Sequence, residues 1–431
     1  MQRIDAPQAD GYVVAFSGGV DSSVLLHALV AIADELPAPV RAVHINHQLQ
    51  PQAEDWERHC RRFAAAAGID YQSAAVTVSP VAAGLEAAAR SARYRALKTL
   101  LHEGEWLLTA HHADDQLETV LLQLLRGGGP AGIAGMPDAG PFGTGWHVRP
   151  LLGFARTELD AYAALAGLAY LDDPSNTDRR HDRNFLRHEV VTRLKERWPA
   201  AAMTVSRAAR HAAQASELLA DLAALDLGRI APVSAETLPV ASLLALGRAR
   251  AANLLRYWLA QRGLPLPDTR RLDELLAQLQ TAADDKAPCA AWAGAEVHCW
   301  RGRLYAFVPL DAPAPTAHWN GADPLRLGSG PGELHAVHGP GGIKADILAR
   351  GVQVRFRAGG ERIRPAGHPH HRELKNLLQE AGVVPWMRAR IPLLWSGEVL
   401  AAVGDLWIAE ECAAKDGEGM RIEWRNRPNL F

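Results

Sequence analysis

The stretch that decides the fold is Val13-Val14-Ala15-Phe16-Ser17-Gly18-Gly19-Val20-Asp21-Ser22-Ser23-Val24-Leu25-Leu26. Its first apolar run predicts a buried parallel strand, and its second apolar run predicts a helix. The two glycines between them can adopt positive φ, so the backbone can turn sharply there. Such a turn offers backbone N–H groups and the positive end of the helix dipole to phosphate oxygens. The stretch therefore predicts a phosphate-binding loop.

The side chains of this loop extend the predicted site to a nucleotide. Asp21 is placed to hold the Mg²⁺ that accompanies a nucleotide. The Gly-Lys-Ser/Thr of a Walker-type loop and the third glycine of a dinucleotide fingerprint are both missing. An ordinary Gly/Ser turn is the weaker alternative, since a strand precedes the loop and a helix follows it. The loop residues predicted to bind nucleotide are Ser17, Gly18, Gly19, Val20, Asp21, Ser22 and Ser23.

A second predicted strand over residues 41–47 ends in Asn46 and His47. Ligands of open parallel sheets bind at the carboxyl ends of the strands, near the point where the strand order reverses. Asn46 and His47 are therefore candidates to contact the nucleoside. The alternative is that these two polar side chains only satisfy their own turn.

A second polar motif is Thr109-Ala110-His111-His112-Ala113-Asp114-Asp115-Gln116-Leu117-Glu118-Thr119. On a helix, Asp114 and Glu118 share one face. Helix capping would explain one or two of the carboxylates, with Asp114 as the cap, but not three of them beside a histidine pair. The H-E-x-x-H spacing of a zinc site is absent. The motif therefore favours Mg²⁺ or a cationic substrate.

The composition is that of an ordinary globular protein. The chain has 431 residues, 48% of them hydrophobic and 22% charged, and this length predicts two or three domains. The apolar runs are too short to span a bilayer, and the first residues lack the pattern of a signal peptide, which predicts a cytoplasmic protein without membrane contact. Four scattered cysteines form no C-x-x-C pair for zinc or an iron–sulfur cluster.

Basic residues are concentrated in two stretches, although the formal net charge is only −2. The stretches span residues 179–197 and 355–390, and each is a candidate to bind phosphate groups. In the alternative interpretation, the first stretch is a solvated helix face whose charge is balanced by Asp182, Glu189 and Glu196.

The order of predicted elements gives an α/β fold. Alternating strands and helices predict a Rossmann-like parallel sheet in a catalytic domain over residues 1–198. Ala/Leu-rich segments predict a small, mostly helical domain over 199–310, and a Pro/Ala/Gly-rich linker over 309–331. Short β-like runs predict a compact C-terminal α/β module over 335–431.

Taken together, these motifs resemble those of the bacterial tRNA(Ile)-lysidine synthetases, a family within the ATP-pyrophosphatase superfamily. The resemblance covers nearly the whole chain and is weakest in its helical middle. The segments that carry it are 17–23, 43–47, 86–94, 109–119, 126–136, 173–176, 183–187, 359–365 and 374–383.

The resemblance implies an ATP-dependent ligase. Such an enzyme adenylates the wobble cytidine of an isoleucine tRNA with a CAU anticodon, and free lysine then displaces AMP to give lysidine. The implied cofactors are ATP and Mg²⁺, and no protein partner is implied beyond a possible homodimer. The implied catalytic residues are Asp21, Asp114, Asp115, Glu118, Arg93 and His111. The implied tRNA-binding residues are Arg183, Arg187, Arg362, Arg364 and Lys375.

In such an enzyme, the three acidic side chains of the second motif would carry more negative charge than Mg²⁺ requires. The remaining charge would be available for the ammonium groups of lysine. Arg93 would pair with the carboxylate of lysine or with the phosphates of ATP. Which acid serves Mg²⁺ and which serves lysine stays open. Two alternatives remain: another ATP-pyrophosphatase, such as a tRNA thiolase or an amide-forming synthetase, or a non-catalytic nucleotide-sensing RNA-binding protein.

Overall fold

The computed structural model describes residues 7–48, 52–78, 85–172, 178–231, 236–281, 289–312, 315–328, 332–414 and 418–427. The chain divides into two compact units, Met1–Leu222 and Ala223–Phe431. The segment 173–176, one of those that carry the family resemblance, lies outside the described residues. The predicted domain boundaries near 198, 310 and 335 stay predictions.

The first unit is built on a six-stranded sheet, which confirms the predicted α/β fold. Its strands are β1 (Gly11–Ala15), β2 (Val40–Asn46), β3 (Asp70–Ala75), β4 (Glu105–Leu108), β5 (Ala139–Phe142) and β6 (Gly145–Val148). The spatial order is β3-β2-β1-β4-β6-β5. All neighbours are parallel except β5 and β6, which form an antiparallel hairpin at the edge. The sequence did not predict β5.

Helices cover this sheet on both faces. They are α1 (Val20–Ala31), α2 (Ala53–Ala66), α3 (Leu85–Leu100), α4 (Ala113–Leu125), α5 (Pro130–Ile133), α6 (Arg156–Leu165), α7 (Asp182–Phe185) and α8 (Thr192–Arg197), with a 3₁₀ turn at Ala33–Glu35 and a π-helical turn at Leu186–Val191. Alternate residues of β1 pack into different cores, Val14 on one face of the sheet and Val13 on the other. This burial explains why β1 is continuously apolar.

The strand order places two loops side by side. β1 lies between β2 and β4, and the chain order reverses there. The carboxyl end of β1 leads into the loop at residues 16–19, and that of β4 leads into residues 109–112. Parallel strands end at the same edge of a sheet, so the two predicted motifs meet at the position where such folds bind ligands.

The helix α9 (Ala201–Ile230) contains the boundary between the two units. The second unit continues with α10 (Val240–Ala245), α11 (Arg248–Gln261) and α12 (Thr269–Thr281) and with the antiparallel strands β7 (Thr237–Pro239), β8 (Cys289–Trp292), β9 (Ala295–Trp300) and β10 (Arg303–Phe307). The sequence predicted one helix over 242–262. Gly247 interrupts it, because its φ of 80° is not helical.

The remaining elements form the C-terminal α/β module. Its strands are β11 (Ala317–Trp319), β12 (Leu325–Arg326), β13 (Glu333–Pro340), β14 (Val352–Arg355), β15 (Arg362–Ile363), β16 (Arg372–Glu373), β17 (Leu393–Ser396), β18 (Val399–Val403), β19 (Trp407–Ile408) and β20 (Glu418–Arg425). Its helices are α13 (Ala345–Ala349), α14 (Leu374–Glu380) and α15 (Pro385–Arg388). Part of the predicted linker belongs to this module, since Trp319 and Leu327 are buried in its core.

The strands β9 and β10 of the second unit, and the chain that follows them, pack directly against this module. The ring of Trp386 lies 4.8 Å from that of His298 and 5.1 Å from that of Tyr305, measured between centroids. Arg390 donates a hydrogen bond to the backbone oxygen of Leu310 at 3.0 Å. Within the described residues, no helix has the length and apolar character needed to cross a bilayer.

Candidate active site

The phosphate loop has the backbone geometry that the sequence predicts. Gly18 adopts a φ of 82°, and its carbonyl oxygen accepts a hydrogen bond from the Leu171 N–H at 2.8 Å. A Cβ at Gly18 would lie only 2.9 Å from the sulfur of Cys60. Gly19 is the N-cap of α1 and provides no side chain to cap it. The first N–H groups of this helix are thus not taken by a capping side chain and can bind an anion.

Two of the three loop hydroxyls shape the loop. The buried Ser22 hydroxyl donates to the Gly19 carbonyl at 3.0 Å and accepts from the Ser17 N–H at 3.3 Å. The Ser23 hydroxyl, also buried, lies 3.5 Å from the Gly18 carbonyl. Ser17 is exposed. Of the three serines predicted to bind nucleotide, Ser17 is therefore the one whose hydroxyl is best placed to meet a ligand.

Asp21 lies between the two motifs. One of its carboxylate oxygens pairs with Arg156 Nη1 at 3.1 Å. The other oxygen, Oδ1, is buried and has no hydrogen-bond partner among the described residues. Burial raises the pKa of Asp21, although the charges of His112 and Arg156 oppose that shift.

The Asp21 Oδ1 atom, which accepts no hydrogen bond from the described residues and lies 3.8 Å from His112 Nε2, fits a ligand of Mg²⁺. Mg²⁺ is usually held by one or two carboxylates together with phosphate oxygens and water, and not by a cage of protein groups. The described part of the chain contains no cluster of three or more His, Cys, Asp or Glu arranged to hold a metal.

The helix α4 is capped by His112 and not by Asp114. The His112 ring accepts from the Asp115 N–H at 3.4 Å, and the Asp115 carboxylate accepts from the His112 N–H at 3.1 Å. Asp114 accepts a hydrogen bond from the Arg156 N–H at 2.9 Å and pairs with Lys195. Arg156 therefore connects Asp114 of the second motif to Asp21 of the phosphate loop.

Asp115 and Glu118 pair with two arginines from the basic segment. Glu118 is 1% exposed and accepts from Arg183 Nε at 2.7 Å and from Arg187 Nε at 2.6 Å. The same two guanidinium groups reach Asp115 at 2.9 and 3.2 Å. Burial alone would raise the pKa of Asp115, but His112 and Arg183 hold it below its ordinary value.

These ion pairs differ from the arrangement that the sequence suggested. Asp114, Asp115 and Glu118 do not carry unbalanced negative charge, because each already has a cationic partner. Arg183 and Arg187 likewise face the acidic helix α4. The acids that neutralise them lie on that helix, and are not the three acidic neighbours named in the sequence analysis. Of those three, Glu189 pairs with Arg179. Contact of Arg183 and Arg187 with tRNA stays a prediction.

The other predicted nucleotide contacts differ in their surroundings. Asn46 donates to Glu57 at 3.2 Å and accepts from the Gln48 N–H at 2.9 Å, as the turn alternative expects. His47 has a buried Nδ1 without a partner among the described residues. Burial, followed by the charge of Arg93, lowers the pKa of His47. Arg93 forms no ion pair with a carboxylate in the described part of the chain, so it remains a candidate to bind an anion.

His111 belongs to a hydrogen-bonded chain of polar groups. The Thr109 hydroxyl lies 2.8 Å from His111 Nδ1 and 2.8 Å from His147 Nε2. Arg149 Nη2 in turn lies 3.2 Å from His147 Nδ1. Burial is the main cause that lowers the pKa of both histidines to about 3. Both rings are therefore neutral at pH 7.

The distal basic residues differ in how they are paired. Arg364 lies 3.5 Å from Glu411. Arg362 and Lys375 are exposed, and no carboxylate of the described residues forms an ion pair with either. Two acids near them in the sequence, Glu361 and Glu380, pair with Arg357 and Arg372.

Three family models match the chain in succession. A PP-loop domain matches residues 2–194, a TilS substrate binding domain matches 238–305, and a TilS substrate C-terminal domain matches 352–424.

Curated relatives match over nearly the full length. A tRNA(Ile)-lysidine synthase of Alkalilimnicola ehrlichii is 46% identical over 95% of this chain and 92% of its own. Proteins of the same name from Methylococcus capsulatus and Coxiella burnetii are 42% and 40% identical, each over 96% of this chain and over 96% and 92% of their own.

Proposed function

The chain belongs to the tRNA(Ile)-lysidine synthase family, and on that premise we propose that it joins lysine to the wobble cytidine of an isoleucine tRNA with a CAU anticodon. ATP adenylates the cytidine, and lysine then displaces AMP. The observation that carries the proposal is the junction at Arg156, which contacts Asp21 of the phosphate loop and Asp114 of the acidic helix. The nucleotide and the second substrate would thereby meet at one place.

The residues of the loop have separate roles in the first step. The N–H groups at the start of α1 bind the pyrophosphate part of ATP. Asp21 would hold Mg²⁺, which would supply positive charge beside the developing pyrophosphate. Arg156 keeps the Asp21 carboxylate in place and is itself fixed by Asp160, 3.0 Å away. Arg93 supplies a further cation for phosphate oxygens or for the carboxylate of lysine.

We propose that Asp114, and not one of the other two acids, binds an ammonium group of the substrate lysine. Asp114 already accepts an ammonium group, that of Lys195. Lys195 lies on α8 with its side chain 26% exposed, and the long stem of a lysine can swing aside, so a substrate ammonium can take its place. Asp115 and Glu118, in contrast, are each held by two guanidinium groups. We assign these two acids to the positioning of Arg183 and Arg187.

The proposed function is tested by labelled lysine. Incubated with ATP, Mg²⁺ and the CAU isoleucine tRNA, the protein should transfer lysine to the tRNA, and nuclease digestion with mass spectrometry should place it on the wobble cytidine. The methionine tRNA with the same anticodon is the control and should stay unlabelled. A wobble base that gains sulfur, or no modification at all, would contradict the proposal.

We also propose that the C-terminal module binds the tRNA away from the wobble base, at the acceptor arm. Two tRNAs with one anticodon must be distinguished by other nucleotides or by helix shape, and proteins read RNA helices through backbone and 2′-hydroxyl contacts. Arg362 and Lys375 support this role, because both are exposed and lack ion-pair partners among the described residues. The cytoplasmic location and a possible homodimer stay predictions.

Replacing Arg362 and Lys375 by alanine should weaken tRNA binding and leave ATP affinity unchanged. Each lost phosphate contact lowers the slope of log K against log salt by roughly 0.7 to 0.9, so the double variant should lose about 1.4 to 1.8. Filter binding at salt concentrations from about 50 to about 300 mM measures this slope. The matched control is Arg350→Ala, since Arg350 is an exposed cation paired with Asp346. An unchanged slope in the double variant would contradict the role.

A further inference from the structure

The hydrogen bonds behind His111 have only one consistent direction. A guanidinium group donates hydrogen bonds and never accepts them. His147 Nδ1, 3.2 Å from Arg149 Nη2, must therefore accept. A neutral histidine that accepts at Nδ1 carries its proton on Nε2. That Nε2–H then donates to the Thr109 hydroxyl, 2.8 Å away.

The direction of hydrogen-bond donation continues from His147 through Thr109 to His111. The Thr109 hydroxyl has a single hydrogen and two lone pairs, and the two histidines are its only hydrogen-bond partners among the described residues. If His111 donated to it as His147 does, the hydrogen of this buried hydroxyl would have no acceptor there, so the hydroxyl donates to His111 Nδ1 at 2.8 Å. His111 therefore carries its own proton on Nε2. Arg149, at the origin of the chain, is fixed by a 2.7 Å hydrogen bond from Nη1 to the Pro137 carbonyl. Thr109 and His147 are buried, so water does not compete for these bonds.

The Nε2–H of His111 has no acceptor among the described residues, which leaves it for a ligand. Among the charges that act on the ring, the guanidinium groups of Arg149 and Arg90 outnumber the one carboxylate, Asp115, which is itself paired with Arg183. This positive environment favours an anionic acceptor. His111 also begins the motif whose helix carries the acidic site residues.

We propose that His111 is a neutral Nε2–H donor to a phosphoryl oxygen of the bound nucleotide, and not a general base, with Arg149, His147 and Thr109 as the residues that set its tautomer. The assignment to a nucleotide rests on the proposed function. No covalent step is added: the histidine keeps its proton and stabilises oxygen that gains negative charge as pyrophosphate leaves.

The tautomer is tested directly by ¹⁵N NMR of the imidazole groups in the protein without substrates. Wild type and Thr109→Ser should show His111 protonated on Nε2. Thr109→Val has the same shape as threonine but no hydroxyl, so it should show a mixture of both tautomers. A wild-type His111 protonated on Nδ1 would overturn the proposal, and so would a Thr109→Val variant with an unchanged tautomer. This measurement needs no catalysis, so its failure is distinct from failure of the proposed function.

Kinetic measurements on His111 variants distinguish a hydrogen-bond donor from a general base. Glutamine offers an N–H at the position of Nε2 and cannot act as a base at pH 7. His111→Gln should retain ATP-dependent adenylation within about tenfold of wild type, whereas His111→Leu should lose about 10²-fold or more, in kcat and not in the KM for tRNA. Equal losses in both variants would overturn the donor role. If Thr109→Val fails to fold, His147→Gln against His147→Leu gives the same contrast, since only glutamine keeps a donor toward Thr109.

Discussion

Replacing Asp21 by asparagine is expected to lower the rate of adenylation about 10³-fold, which corresponds to about 4 kcal/mol of lost transition-state stabilisation. Asp21 is the carboxylate inside the phosphate loop, and its buried Oδ1 has no hydrogen-bond partner among the described residues, the His112 Nε2 atom being 3.8 Å away. The amide of asparagine keeps the shape but removes the charge that would attract Mg²⁺. The affinity for tRNA should stay within about twofold, because the carboxylate serves the nucleotide.

The control for this variant is Asp160→Asn. Asp160 also pairs with Arg156, at 3.0 Å, but its side chain is 53% exposed and lies outside the loop. If the loss in Asp21→Asn came only from a displaced Arg156, the two variants would lose similar activity. Single-turnover measurement of AMP transfer to the tRNA distinguishes them. A fully active Asp21→Asn variant, or one that loses tRNA affinity, would mean that the role of Asp21 is misassigned.

Replacing Glu118 by glutamine is expected to destabilise the first unit by about 3–5 kcal/mol, because removal of one partner from a buried ion pair leaves an uncompensated charge. Glu118 is 1% exposed and neutralises Arg183 and Arg187, which then share Asp115 alone. Activity should fall as well, because the two arginines lose the carboxylate that orients them. Urea unfolding followed by tryptophan fluorescence measures the change in stability.

An exposed ion pair provides the control for Glu118. Asp346 and Arg350 are four residues apart on one helix, and their side chains are 58% and 78% exposed. Asp346→Asn should therefore change the free energy of unfolding by no more than about 0.5 kcal/mol. A comparable, small change in Glu118→Gln would show that water screens the buried cluster, and that the arginines are positioned by other contacts.

Local signals in the sequence were sufficient for the phosphate loop. The apolar run of β1, the glycine that needs positive φ and the start of α1 are all determined by neighbouring residues. The hairpin strand β5 could not be predicted because Ala139-Gly140-Pro141-Phe142 has loop-like composition and is held as a strand by its pairing with β6. The break at Gly247 did have a local signal, the poor helix propensity of glycine, within an otherwise helical pattern. Trp319 and Leu327 likewise join a core despite the Pro-rich composition around them.

The partners of the site residues could not be predicted, because they come from distant parts of the chain. Arg183 lies 65 residues after Glu118, and Arg156 lies 135 residues after Asp21. Neither arginine stands in a pattern that specifies its acid. His147 follows Thr109 by 38 residues and becomes its neighbour only because β4 and β6 pair. The one signal in the sequence for these ion pairs was the basic stretch at 179–197, because so many positive charges in a folded chain call for acidic partners.

This site is expected to adenylate the cytidine and not lysine, and ATP–pyrophosphate exchange tests that order most directly. With ATP, Mg²⁺ and the CAU isoleucine tRNA present and lysine omitted, labelled pyrophosphate should enter ATP. With lysine present and tRNA omitted, no exchange should occur. Exchange that depends on lysine alone would contradict the account, because it would mean that the carboxylate of lysine is the group activated.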